Sequence, residues 1–312
     1  MNIILLGAAG FIGKNLTIGL GRKPQNHLTL VDKSKHFFQE GNLYFPETTK
    51  IKEDAFDETT DFDKLLEGQD IVYHLVSTTA PVTSNQHIEQ ELKANVIVTV
   101  NMLEACVRCK VKKVVFFSSG GTVYGKDVLC PINEEAPTNP ICAYGLQKLS
   151  IEKLLFLYSY LHDLDYRVIR LSNPYRPYQR PNGGLGAITT FTYKALRGEE
   201  ITVYGDGSVI RDFIYIEDAI KAIENIVEGE SRHRIFNIGS GCGTSIRKVL
   251  EIIGVVLKTD LKVVYKSKRK ADVPENYLDI SRYETCFGKL NLVSLYEGIH
   301  RTAAFMKEQY HI

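Results

Sequence analysis

Gly7-Ala8-Ala9-Gly10-Phe11-Ile12-Gly13 follows the apolar run Ile3-Ile4-Leu5-Leu6 and opens a helical pattern. In the order strand, glycine turn, helix, each glycine has its own task. The first allows a tight turn, the second lets the backbone approach a pyrophosphate, and the third lets helix and strand pack closely. The helix N-terminus then points its free N–H groups at the phosphates. A glycine motif alone is weak evidence, so its setting must support it. Asp32 does so by closing the next β-rich run. A carboxylate there would hold the adenosine ribose hydroxyls and repel a 2′-phosphate, which favours NAD over NADP. Lys33 and Lys35 are the groups that would pull the other way.

Outward from that motif, short β-rich runs alternate with longer helical patterns. Strands are expected at Ile3–Leu6, His27–Val31, Ile71–Leu75, Val114–Ser118 and Tyr166–Leu171. Leu92, Val96, Val100, Leu103 and Val107 recur at three- and four-residue steps, as do Ile151, Leu154, Leu155, Tyr158 and Leu161, marking two helix faces. This alternation predicts an α/β chain with a Rossmann-type, doubly wound parallel sheet covered on both faces. After Leu171, Pro174, Pro177, Pro181 and Gly183-Gly184 break the pattern. Shorter elements follow: helices near Ala187–Arg197, Glu217–Val227 and Ser245–Leu257, and strands at Ile201–Tyr204, Ile235–Ile238 and Leu261–Tyr265. The expected division is a NAD-binding domain over residues 1–171 and a smaller C-terminal substrate-binding lobe over 172–312, interleaved with it. Ligands would sit in the crevice between them.

A second motif, Tyr144-Gly145-Leu146-Gln147-Lys148, is the only Tyr-x-x-x-Lys in a chain with 17 tyrosines. Roughly one such match arises by chance, so placement carries the inference. At i and i+4 the two side chains share one helix face. A phenol ionises near pH ~10 in water, so a phenolate at neutral pH needs about 3 units of stabilisation, roughly 4 kcal/mol. An ammonium and a positively charged nicotinamide can supply it. Such a base takes the proton of a carbinol while hydride leaves to the nicotinamide. Upstream, Ser118 and Ser119 end an apolar strand, where a hydroxyl can reach a substrate oxygen.

The bulk numbers exclude other classes. A formal net charge of +1 offers no field to recruit nucleic acid or a membrane surface. No apolar run approaches a membrane span, and the one before Gly7 is too short for a signal peptide, so the chain is expected in the cytoplasm. Cys106 and Cys109 form a Cys-x-x-Cys pair inside a long helical pattern rather than at its start, which predicts ordinary reduced thiols. The eight histidines show no ligand spacing, and no metal site is expected.

The segments GAAGFIG, VYHLVS, SSGGTVYG, YGLQK, RLSNPYRP, GDGSVIRDFIYIEDAI, FNIGSG and ADVPENYLDIS occur in this order along essentially the whole chain. Together they resemble the extended short-chain dehydrogenase/reductase family, and within it the NAD-dependent nucleotide-sugar epimerases and dehydratases such as the UDP-glucose 4-epimerases. The resemblance implies epimerisation at C4 of a UDP-hexose through a transient 4-keto sugar, and a homodimer formed through two long helices. NAD would be held by Gly7, Gly10, Phe11, Ile12, Gly13 and Asp32, with Asp54 and Ala55 at the adenine. Leu75, Val76, Ser77, Asn95 and Ser118 would line its path. Tyr144 would be the base and Lys148 its partner on the nicotinamide ribose. Asn173 would contact the sugar nucleotide, Gly186 and Ala187 would lie by the diphosphate, Thr202 and Tyr204 by the uracil, and Arg211 and Arg269 would neutralise the diphosphate.

Two positions depart from that family's pattern. A Ser or Thr usually stands three residues before the valine of the VYG triplet, where this chain has Gly120; Ser119 or Thr122 would have to supply the hydroxyl. Arg176 replaces a frequent glycine, which implies either a local turn difference or an altered pocket. The resemblance also admits a 4,6-dehydratase, a decarboxylase or a 4-keto reductase. Dehydratase relatives place Asp-Glu directly before VYG and decarboxylases commonly a Glu; Gly121-Thr122 stands there instead. A non-catalytic NAD-sensing protein on the same fold is the alternative of a different class. Within the DxP segment, Asn276 takes the position that borders the sugar C2 substituent, where a small residue goes with acceptance of N-acetyl groups.

Overall fold

The apolar runs become the centre of a seven-stranded parallel sheet in this computed structural model, which describes all residues other than 35–37, 39–48, 79–80, 82, 182–185 and 269–272. The chain begins β1 (Asn2–Leu6), α1 (Phe11–Gly21), β2 (His27–Asp32), β3 (Lys50–Glu53), α2 (Phe62–Leu66) and β4 (Ile71–His74). One long helical stretch follows, built of α3 (Ile88–Leu92), a π turn (Lys93–Ile97) and α4 (Val98–Arg108). Next come β5 (Lys113–Ser119), α5 (Ala143–His162), β6 (Asp165–Leu171), β7 (Asn173–Tyr175), α6 (Ala187–Leu196), β8 (Ile201–Tyr204), β9 (Ile210–Tyr215) and α7 (Ile216–Glu228). The chain closes with β10 (Ile235–Ile238), β11 (Gly243–Ser245), α8 (Ile246–Leu257), β12 (Val263–Lys266), β13 (Glu275–Asn276), α9 (Ser281–Phe287) and α10 (Leu295–Tyr310).

The large sheet has the order β10-β6-β5-β4-β1-β2-β3, and each neighbouring pair is parallel. Parallel strands buried on both faces need continuous apolar runs. Ile3, Ile4, Leu5 and Leu6 meet that need, with at most 1% of each exposed. Leu16 and Leu20 of α1 and Ile220 and Ile223 of α7 cover one face; Met102 and Cys106 of α4 and Ile151 and Leu155 of α5 cover the other. Thus β10 and α7, which come from the second half of the chain, complete the sheet and core of the first.

Two features differ from the sequence expectation. The edge strand β3 reads Lys-Ile-Lys-Glu, too charged to look like a strand; it is held by pairing to β2. The face foreseen on the long helix is also rotated. Glu91, Asn95, Val98, Thr99, Met102, Leu103 and Cys106 are buried, whereas Leu92, Val96, Val100 and Val107 are only half-buried. The π turn adds a residue to one turn and shifts every later side chain around the axis.

The remaining strands form a four-stranded sheet, in which β9 pairs with β7, β11 and β13, and a two-stranded β12-β8 pair. Ile188, Val249, Ile253 and Ile299 from α6, α8 and α10 pack behind them. Asp212 ties this lobe together: its fully buried carboxylate accepts hydrogen bonds from the Ser240 amide and hydroxyl and from the Leu278 amide.

Candidate active site

The glycine turn is shaped as the sequence suggests. Gly7 has φ +85°, and a Cβ there would stand 3.1 Å from the Val76 amide nitrogen. A Cβ on Gly13 would stand 2.4 Å from the Ala8 carbonyl oxygen, so only glycine lets α1 come this close to β1. Asp32 reaches across the turn, accepting from the Ala9 amide at 2.8 Å and from the Lys33 amide at 2.8 Å. Phe11 and Ile12 form the first turn of α1. A 530 Å³ cavity lined by Lys33, Asp54, Ala55, Thr78 and Ala94 lies just beyond Asp32. Asn95, inside the π turn, clamps its far wall: Oδ1 accepts from the Thr78 amide at 3.1 Å, and Nδ2 donates to the Thr78 hydroxyl at 2.8 Å. That clamp fixes the segment carrying Leu75, Val76 and Ser77, which leaves β4 at the mouth of the glycine turn.

Tyr144 and Lys148 lie in the first two turns of α5. The Lys148 Nζ is 5.5 Å from the Tyr144 ring centre and 4.8 Å from that of Phe116. Lys148 is 3% exposed, and it makes no hydrogen bond or ion pair among the described residues. Burial pushes its pKa down to about 8, partly offset by the Glu152 carboxylate. Burial also pushes the Tyr144 phenol up to about 12.

Groups distant in sequence position this helix. Cys142 supplies no side-chain cap. The first free amides of α5 bond instead to the loop after β4, Ala143 N–H to Asn85 Oδ1 at 2.8 Å and Tyr144 N–H to the buried Ser84 hydroxyl at 3.0 Å. A Cβ on Gly145 would stand 2.7 Å from the Thr122 carbonyl oxygen, so this glycine lets the helix press against the turn after β5. Neither Ser84 nor Asn85 carried a sequence signal, because a cap borrowed from another loop has no fixed spacing.

That turn resolves the departure at Gly120. A Cβ there would lie 2.6 Å from Leu278 Cδ1 and 3.2 Å from the Arg170 carbonyl oxygen, among fully buried groups. A side chain at this position would press on Leu278 and on the Arg170 carbonyl. Ser119 is half-buried, and its hydroxyl makes no hydrogen bond among the described residues; the Thr122 hydroxyl is buried and likewise unpartnered. Ser118 is placed differently: it is 6% exposed, and its hydroxyl donates to Glu152 beneath α5.

On the lobe side, Asn173, Arg211 and Asn276 share the four-stranded sheet, with Asn276 in register with Arg211 and Asn173 in register with Phe213. Asn173 Nδ2 donates to the Asp212 carbonyl at 2.9 Å. Asn276 joins the two halves by donating from Nδ2 to the Gly120 carbonyl at 3.2 Å, and its Oδ1 is buried without a partner. Gly186, at φ +85°, and Ala187 begin α6. Thr202 and Tyr204 stand on the separate two-stranded sheet, and Arg269 lies outside the described residues. Arg176 is fully buried under α10, its guanidinium 4.9 Å from the Phe305 ring centre and 5.7 Å from that of Tyr310. Arg176 keeps a positive φ of +26°, the region that favours glycine, so the turn is retained and the side chain is packed beneath α10.

The family model described as the NAD dependent epimerase/dehydratase family matches residues 3–239. The chain is 31% identical over 305 residues to a putative UDP-glucose 4-epimerase of Methanocaldococcus jannaschii, covering 98% of each chain. It superposes with a TM-score of 0.91 and 30% identity on a UDP-glucose 4-epimerase of Thermotoga maritima in complex with UDP-glucose, covering 99% of this chain and 100% of that one. A UDP-glucuronic acid 4-epimerase of Bacillus cereus, in complex with UDP-glucuronic acid and NAD, superposes with a TM-score of 0.89 and 26% identity, at 99% and 100% coverage.

Proposed function

The chain belongs to the NAD dependent epimerase/dehydratase family, and from that premise we propose that it inverts C4 of a UDP-hexose through a transient 4-keto sugar. The observation that carries this is the Tyr144–Lys148 pair, a half-buried phenol beside a buried ammonium that no group among the described residues has captured. The residues fit NAD. Gly7 and Gly13 leave room that any Cβ would fill, α1 offers its N-terminal amides to the pyrophosphate, Asp32 stands at the ribose, and Asp54 and Ala55 line the cavity for the adenine. When bound, NAD would supply the hydride acceptor and donor for the sugar C4.

Tyr144 takes the O4 proton as the ketone forms and gives it back as the alcohol is remade. With its phenol pushed up to about 12, it needs positive charge at the moment of transfer. Lys148 supplies part of that charge and holds the nicotinamide ribose. Ser119 or Thr122 bridges O4 and Tyr144, replacing the hydroxyl absent at Gly120. Asn173, Gly186, Ala187, Thr202, Tyr204, Arg211 and Arg269 hold the sugar nucleotide. Asn276 borders C2, and a 2-acetamido N–H is the donor its unpaired Oδ1 lacks, so UDP-N-acetylhexosamines are accepted.

The working unit is a homodimer joined through α4 and α5. Phe156, Leu157, Tyr160 and Leu161 form an exposed apolar face on α5, with Tyr160 79% exposed, and Ile97 is exposed just before α4. A solution mass of 35.2 kDa, that of one chain, would contradict it.

The test is to supply UDP-glucose, UDP-N-acetylglucosamine and UDP-glucuronic acid with NAD and to resolve the products by chromatography. At least one must give its C4 epimer with no net change in NAD. A decarboxylated or dehydrated product, or no turnover of any of the three, refutes the proposal.

A further inference from the structure

A buried polar network lies behind the Tyr144–Lys148 pair. Glu152, one helical turn beyond Lys148 on α5, is 2% exposed. Its carboxylate accepts two hydrogen bonds from Arg170 of β6, from Nε at 3.1 Å and Nη2 at 2.7 Å, and a third from the Ser118 hydroxyl of β5. Arg170 is itself held from behind. Its Nη1 donates to the Tyr124 hydroxyl at 3.0 Å and to the Glu134 carbonyl at 3.1 Å. The Tyr124 hydroxyl donates to Asn237 Oδ1 at 2.7 Å, and the Asn237 amide donates to Glu134 Oε1 at 2.9 Å.

Such an arrangement has a specific consequence for Lys148. At i and i+4, Glu152 faces the same side of α5 as Lys148. A carboxylate there would ordinarily form a salt bridge with the ammonium. Both of its oxygens are occupied, however, and Lys148 makes no ion pair among the described residues. The other groups around Lys148 do not replace Glu152. On α5 there is the neutral Tyr144 phenol. From β5 come the Phe116 ring and the Ser118 hydroxyl. From β4 comes His74, which burial and the Lys148 charge hold neutral, its pKa down to about 3. Arg170 stands behind the carboxylate. Among the described residues, Glu152 is the group that raises the affinity of Lys148 for its proton against the cost of burial.

We propose that Glu152 is a positioning residue for proton transfer at Tyr144: locked by Arg170 and Ser118, its carboxylate keeps Lys148 charged from one turn away without capturing it, so that the ammonium stays free for the cofactor ribose. This rests on the assignment of Tyr144 and Lys148 made above.

The experiment is the pH dependence of kcat for the full chain with NAD and the UDP-sugar it epimerises. Rate is lost at high pH as Lys148 gives up its proton. Glu152→Gln removes the charge and keeps the shape, so the alkaline limb should move to lower pH by about one unit, with KM changed less than about twofold. That single variant strands the Arg170 charge and can fail to fold. Glu152→Gln with Arg170→Met removes both charges together and should show the same shift. Tyr124→Phe breaks the network behind Arg170 while leaving the carboxylate in place; it should lower the melting temperature and leave the limb where it was. An unmoved limb in the double variant, or an equal shift in Tyr124→Phe, overturns the proposal. A Tyr144→Phe enzyme that remains active removes the underlying assignment instead. An inactive Tyr144→Phe with an unmoved limb in the Glu152 variants removes this inference alone.

Discussion

Arg170 and Arg176 are close in sequence and both buried, yet the two sides of the crevice treat them in opposite ways. Arg170, under α5, meets Glu152 with two hydrogen bonds and has further partners behind it, and Glu152 holds it firmly charged. Arg176, in the lobe, is fully enclosed; its guanidinium makes no hydrogen bond of ordinary geometry among the described residues, and the Tyr310 and Tyr215 phenols favour its charge. It lies on aromatic rings, and burial lowers its pKa. The difference teaches where polar precision has been placed. Beside α5 the buried arginine is met by a carboxylate and a hydroxyl, whereas in the lobe it is met by rings.

Substitutions on the two sides should therefore differ in kind. The largest effect belongs to Tyr144→Phe, which keeps the ring and removes the proton carrier; kcat should fall by about 10²–10⁴ with NAD still bound. Activity within a few-fold of wild type would break the comparison at its ordered end. Next is Asp32→Ala. Wild type should prefer NAD to NADP by roughly tenfold or more, as one charge-assisted hydrogen bond to a ribose allows, and the variant should lose that preference. Equal binding of the two cofactors by wild type would remove the role given to Asp32. On the lobe side, Asn276→Tyr should reduce turnover of UDP-N-acetylglucosamine by about tenfold while sparing UDP-glucose, since crowding at one substituent is worth about 1–3 kcal/mol. Undiminished turnover of the acetylated sugar would mean that Asn276 does not border C2. The smallest effect is on stability. Arg176→Met removes an unpaired buried charge at similar volume and should stabilise the fold by about 1–3 kcal/mol, with kcat within twofold of wild type. A lower melting temperature would show that Arg176 is better satisfied than its surroundings suggest.

The two sides also differed in how far the sequence foretold them. β1, β2, β4, β5 and β6 fall within about a residue of the expected runs, because a fully buried parallel strand writes its burial as uninterrupted apolar residues. The glycine turn was legible because strand, turn and helix are contiguous in the sequence, and the close approach at Gly13 is to Ala8 of the same unit. In the lobe, β7, β9, β11 and β13 went unforeseen. Their short, mixed sequences become strands only through pairing across long separations, as when Asn276 aligns with Arg211. Gly120 read as a missing hydroxyl because Leu278, far along the chain, was not visible as its neighbour. Glu152 was missed although it sits at i+4 from Lys148, since a carboxylate on a helix is ordinarily solvated and only its distant partner Arg170 marks it as buried.

The central claim is that the sugar C4 loses and regains the same hydrogen while Tyr144 handles the proton. A UDP-hexose carrying deuterium at C4, supplied in both its glucose and N-acetylglucosamine forms, tests this most directly by mass spectrometry and NMR of the product. The expected result is a C4 epimer that retains the label at C4, with no label in water and no net change in NAD. Epimer formed with deuterium lost to solvent, or a product that is not the C4 epimer, would contradict it.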